Sequence, residues 1–142
     1  MNGIYFSYKL LDRVENWEEA LYKTAKDALN DKVINALYLK DVVDTVNQAK
    51  TLLVINENTI LFHAAPSEYV RKDCLAYLSI KEGVKFFDKT IHHVFLFGAQ
   101  TPNEHIKLLK WITKFTLEAL TSPSMYECKH LKAYFKEKLK IS

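Results

Sequence analysis

The sequence predicts an α/β fold: a single-domain sandwich, residues 1–142, in which helices flank a central β-sheet. Three observations carry this. Apolar residues recur at helical spacing before residue 50 and again after residue 101. Between them lie short, β-prone apolar runs separated by turn residues. No repeat, linker or second compositional block interrupts the 142 residues, a length that can bury a sizeable core.

Ile4, Tyr5, Phe6, Leu10 and Leu11 suggest a short strand or packed arm within residues 1–15. Asn16 reads as a helix N-cap, with Glu19 three residues on to complete a capping box. Trp17, Ala20, Leu21, Ala25, Ala28 and Leu29 then define a helix to about Asn30. A second helix, from about Leu37 to Ala49, groups Tyr38, Val42, Val43, Val46 and Ala49 on one side. Thr51–Ile55 and Thr59–Phe62 read as strands around an Asn56-Glu57-Asn58 turn, with His63 at the end of the second. Cys74–Ile80 alternates, with Cys74, Ala76, Leu78 and Ile80 on one face and Tyr77 and Ser79 on the other. Glu82-Gly83 suggests a turn, Val84–Phe87 a short strand or edge, and Val94–Ala99 a further strand.

Thr101-Pro102-Asn103-Glu104 is a helix start, with Thr101 as cap, Pro102 in the first position and Glu104 placed to close a capping box. Its inner face is expected to carry Ile106, Leu109, Ile112, Phe115, Thr116 and Ala119. Ser122-Pro123 ends it, Ser124 and Glu127 cap the next start, and Leu131, Tyr134, Phe135 and Leu139 mark a final helix.

The composition, 49% hydrophobic and 26% charged with a net charge of +3, describes a globular, cytoplasmic protein and gives no case for nucleic acid. The one basic stretch, Lys129 to Lys140, reads as the solvated face of the last helix, His130 with it. No membrane-span-length apolar run or signal peptide is recognisable. Cys74 and Cys128 are far apart without CxxC spacing, which argues against metal and redox chemistry. His92 and His93 fall on opposite faces of a strand, and no convergent zinc-ligand spacing exists. P-loop, GxGxxG and GxSxG motifs are absent.

Two histidines stand out. His63 follows a strand and precedes the small residues Ala64-Ala65 and Pro66; His105 lies in the first turn of the helix after another strand. A helix start offers unpaired N–H groups and a positive dipole end, which favour an anion. If the two strands are neighbours, one neutral imidazole could act as nucleophile while the other and the helix start hold phosphoryl oxygens. Taken alone, His63 could equally be a core histidine and His105 an exposed helical one.

Along nearly its whole length the chain resembles the enzyme IIA domains of the bacterial sugar phosphotransferase system, in the mannitol/fructose superfamily. The similarity is closest to the ascorbate-type branch and to IIA-like domains of sugar-operon transcription activators. It rests on Glu15-Asn16-Trp17-Glu18-Glu19-Ala20, on Val46-Asn47-Gln48 through Leu53-Val54-Ile55, and on Ile60-Leu61-Phe62-His63-Ala64-Ala65-Pro66 against the usual Ile-Ala-Leu-Pro-His-Ala-Arg-Pro. Val70-Arg71-Lys72, the Cys74–Ile80 strand and Val94–Ala99 with Asn103-Glu104-His105 complete the order. The resemblance implies a mixed central sheet and no cofactor. It also implies His63 as acceptor from phospho-HPr, enzyme IIB as the next acceptor, and His105 in the same pocket. Phe62 replaces the usual proline, Ala65 the usual arginine, Asn58 a glycine, and Asn47 falls near the position of another arginine. Loss of two cations implies weaker stabilisation of a phosphoryl group and leaves open a regulatory, sensing domain in place of a phosphocarrier.

Overall fold

A computed structural model of the chain describes residues 3–119. The expected break at Ser122-Pro123, the Ser124 cap, the last helix, Cys128 and His130 lie outside the described residues.

In chain order the elements are β1 (Tyr5–Leu11), α1 (Trp17–Asn30), α2 (Ala36–Ala49), β2 (Val54–Ile55), β3 (Thr59–Phe62), β4 (Cys74–Phe86), β5 (Lys89–Gly98) and α3 (Pro102–Ala119). The strands form one open, mixed sheet in the order β1-β4-β5-β3-β2. β1 runs parallel to β4 and β3 parallel to β5, while β4–β5 and β2–β3 are antiparallel.

Period-two alternation divides the core into two layers. Cys74, Ala76, Leu78, Ile80, Ile60, Phe62, Val94 and Leu96 pack with α1 and α2 residues such as Leu21, Ala25, Tyr38 and Val42. Leu61, Leu75, Tyr77, Phe95 and Phe97 pack with Leu108, Ile112 and Phe115 of α3. The expected alternation of 74–80 is therefore observed, and the N-terminal arm is a strand at the sheet edge.

Side-chain caps fix the helix starts. Asn16 accepts from the Glu19 N–H at 2.8 Å, and the Glu19 carboxylate reaches back to the Glu15 N–H at 3.1 Å. α2 begins one residue before the expected start because Asn35 accepts from the Tyr38 N–H at 3.0 Å. At α3, Thr101 accepts from the Glu104 N–H at 3.3 Å; the Glu104 carboxylate pairs with Lys107 at 3.3 Å.

Four expectations change. Thr51–Leu53 is not strand: with Lys50 it forms a 3-10 turn, leaving only Val54 and Ile55 to pair with Ile60 and Thr59. The Asn56-Glu57 turn is as expected, both residues adopting positive φ. Glu82-Gly83 does not reverse the chain. β4 runs through it with a register shift between Ser79 and Val84, and the Glu82 N–H bonds the Asp12 carbonyl at 2.9 Å. Gly83 (φ 77°) is required there, since a Cβ would lie 2.8 Å from Thr90 Cγ2 and 2.9 Å from His92 Cε1. Val84–Phe86 is thus the far end of β4, and β5 begins at Lys89, earlier than expected. Finally, α3 buries Leu108 and leaves Ile106 half-exposed. Its apolar residues span more than one stripe, so periodicity permitted either rotation and the sheet contact selected one.

Candidate functional site

β3 and β5 are parallel neighbours, so their C-terminal ends point the same way. Phe62 pairs with Leu96, which puts His63, the next residue, level with Phe97. Alternation sends His63 to the α3 face with Leu61 and Phe97, and α3 begins just beyond β5. The two histidines singled out in the sequence therefore meet: the His63 and His105 rings lie 5.4 Å apart at an interplanar angle of 61°. Phe97 touches both, stacking on His63 at 5.0 Å and 13° and meeting His105 at 5.0 Å and 56°.

His63 Nδ1 lies 3.1 Å from the Leu61 carbonyl oxygen. A carbonyl only accepts, so Nδ1 carries the proton and Nε2 keeps the lone pair. Burial lowers the His63 pKa, against a smaller raising effect of that hydrogen bond, and so favours the neutral ring. His105 is also lowered, by burial and then by the proximity of His63. Its Nδ1 is buried without a hydrogen-bond partner among the described residues. A proton there would be a buried, unsatisfied donor, so the favoured tautomer carries it on Nε2.

The start of α3 offers fewer donors than its sequence suggested. Pro102 has no N–H, Thr101 takes that of Glu104, and the His105 N–H bonds the Thr101 carbonyl at 3.0 Å. Among the described residues no lysine, arginine or carboxylate pairs with either ring. Ala65 and Asn47 are exposed. Phe62 is fully buried on the opposite face, against Trp17 at 6.1 Å and Phe86 at 6.5 Å.

The remaining candidates separate as expected. His92 donates from Nδ1 to the Ile80 carbonyl at 3.0 Å, while buried His93 bonds the Tyr77 hydroxyl at 2.6 Å on the other face. The Cys74 thiol is buried and pushed up to about 12, an unreactive state. Among the described residues no group of three His, Cys, Asp or Glu side chains could hold a metal ion, and no helix is long and apolar enough to cross a membrane. A groove of about 470 Å³ lined by Leu29, Lys32, Ile34, Asn35, Ala36 and Arg71 includes neither His63 nor His105.

Phe97 is a residue at this site that sequence patterning did not single out, and Tyr38 is another. Tyr38 counts as an apolar-face helix residue, yet its hydroxyl lies 3.1 Å from the Ala64 nitrogen and 2.8 Å from the Phe97 carbonyl oxygen. Only helical periodicity signalled its burial; nothing local signals those partners.

Among the described residues, three helices and an open five-stranded mixed sheet make an α/β domain, an architecture also found in solved phosphotransferase-system IIA structures. One is the complex of enzyme IIA and phosphorylated enzyme IIB for mannitol from Escherichia coli, with TM-score 0.74, 17% identity, and 94% of this chain and 93% of that one covered. Another is the mannitol-specific cryptic phosphotransferase enzyme IIA of Escherichia coli, with TM-score 0.70, 18% identity, and 78% and 76% covered. The family model described as phosphoenolpyruvate-dependent sugar phosphotransferase system, EIIA 2, matches residues 7–131, and the chain belongs to that family. The ascorbate-specific PTS system EIIA component of Mycoplasma pneumoniae is 23% identical over 82 residues, covering 58% of this chain. The chain spans about half the length of this curated relative (52%).

Proposed function

We propose that the chain is a cytoplasmic phosphocarrier: His63 takes a phosphoryl group from phospho-HPr and passes it to an enzyme IIB. The observation that carries this reading is the paired imidazoles 5.4 Å apart, with the His63 Nδ1–H engaged by Leu61. That hydrogen bond leaves the Nε2 lone pair to attack phosphorus as the donor's bond to phosphorus breaks. Positive charge then develops on the ring, and the Leu61 carbonyl, accepting from Nδ1–H, stabilises it. His105, through Nε2–H, donates to a phosphoryl oxygen. In the return step the new N–P bond breaks and His63 regains its lone pair. The mannitol IIA structure solved with phosphorylated IIB supports an acceptor of that kind.

Incubation with enzyme I, HPr and phosphoenolpyruvate is expected to add one phosphate to the wild type and none to His63→Ala. An unmodified wild type overturns the proposal. The lack of a cation paired with His63 among the described residues, with Ala65 exposed and Phe62 turned into the core, favours a second reading, a phosphorylation-sensing regulatory domain with weak or no transfer to IIB. Rapid transfer from phosphorylated His63 to a IIB partner excludes it.

A further inference from the structure

We infer that Tyr38 is a positioning residue for His63, acting through its hydroxyl on both halves of that histidine's seat; the inference rests on the phosphocarrier reading. The bonded residues are the two that determine where the His63 ring lies. Ala64 is the next residue along the chain, and Phe97 supplies the ring on which the imidazole stacks. The Tyr38 oxygen accepts from the Ala64 N–H at 3.1 Å and donates its one proton to the Phe97 carbonyl at 2.8 Å; the Ala64 carbonyl is a more distant alternative at 3.3 Å.

The location explains why a side chain is needed. The β3–β5 ladder ends at Phe62–Leu96, so the backbone beyond it has left the strand pairing that would hold it. Ala64 is buried, and its N–H requires a partner. Tyr38 supplies one from the opposite layer, clamping the chain to β5 one residue past His63. With Phe62 in place of a proline, nothing covalent restricts the approach to His63; the clamp restricts the exit.

Tyr38 is itself well fixed. It is fully buried, and its N–H is held by Asn35 at the start of α2. Its ring passes over Gly98, where an added Cβ would stand 3.4 Å from Tyr38 Cε2 and 3.2 Å from both Cys74 Sγ and Val70 Cγ2. Glycine at 98 leaves the space in which the ring reaches Phe97.

Tyr38→Phe in the full chain removes one oxygen and tests the inference. Phosphorylation of His63 by phospho-HPr is expected to slow about tenfold, equivalent to one hydrogen bond. Long-range ¹H–¹⁵N spectra of the imidazoles are expected to show His63 passing from one Nδ1–H tautomer to a mixture. Val46→Ala, a core truncation on the same helix, is the control: it should lower Tm while leaving both readouts unchanged. Gly98→Ala, which crowds the ring without removing the hydroxyl, should move both readouts in the same direction by less, and decides the matter if Tyr38→Phe does not fold. Wild-type tautomer and rate in Tyr38→Phe, or equal losses in Val46→Ala, overturn the inference. If the wild type accepts no phosphoryl group, the phosphocarrier reading falls by itself and the tautomer spectra alone decide whether Tyr38 orders His63.

Discussion

Buried His93 should make the protein acid-sensitive by a predictable amount. It is fully buried and bonded to the Tyr77 hydroxyl, and burial, with a smaller contribution from the charge of His92, lowers its pKa from 6.5 to about 4. Above pH 6.5 the ring is neutral in both folded and unfolded chains and the titration has no effect on stability. As pH falls, the unfolded chain takes up its proton near 6.5 while the folded protein resists to about 4. Stability is therefore present in full above pH 6.5 and lost progressively down to about pH 4. Over about 2.5 pH units at about 1.4 kcal/mol each, the loss from this one group is about 3 kcal/mol. The double variant Tyr77→Phe, His93→Leu removes the titrating ring together with the hydroxyl that bonds it, so neither is left buried without the other. Urea unfolding at several pH values between 4 and 7.5 should give a wild-type stability that falls with acid more steeply than the variant's, by that amount. Parallel curves across the window would refute the assignment, as would a direct NMR titration placing the His93 midpoint near 6.5.

Restoring the family's usual residue in Phe62→Pro should harm the protein. The ring lost from the Trp17–Phe86 cluster costs about 3–5 kcal/mol, and the strand also loses a ladder donor beside Leu96. Unchanged stability by denaturant unfolding would show that Phe62 does not anchor β3. The His63 and His105 rings should both titrate below 6.5 in NMR, since burial lowers each. The neutral nucleophile should then persist as pH falls through 6.5 and be lost only below it. A His63 midpoint at or above 6.5 contradicts the buried, neutral pair.

Much of this molecule is legible from local chemistry. Asn16 and Thr101-Pro102 announce helix starts, and they do so in the structure. Alternation over Cys74–Ile80 identifies which residues share a face, and that division runs through both layers of the core. The order of motifs around His63 and His105 identifies the family, and the strand-end and helix-start positions of both rings follow from the sequence alone.

Periodicity reports that a face is buried, not what buries it. Tertiary structure therefore decided that β3 lies beside β5, the adjacency that lets the two imidazoles meet. It turned Leu108 rather than Ile106 into the core and carried β4 straight through Glu82-Gly83, because Asp12 and β5 supply partners there. Only at that level does Tyr38 emerge. Its hydroxyl bonds residues 26 and 59 positions away in sequence, beyond the reach of any local pattern. Sequence determined the imidazoles and the ends of the elements that carry them; packing between distant segments determined how the rings face each other and what holds them there.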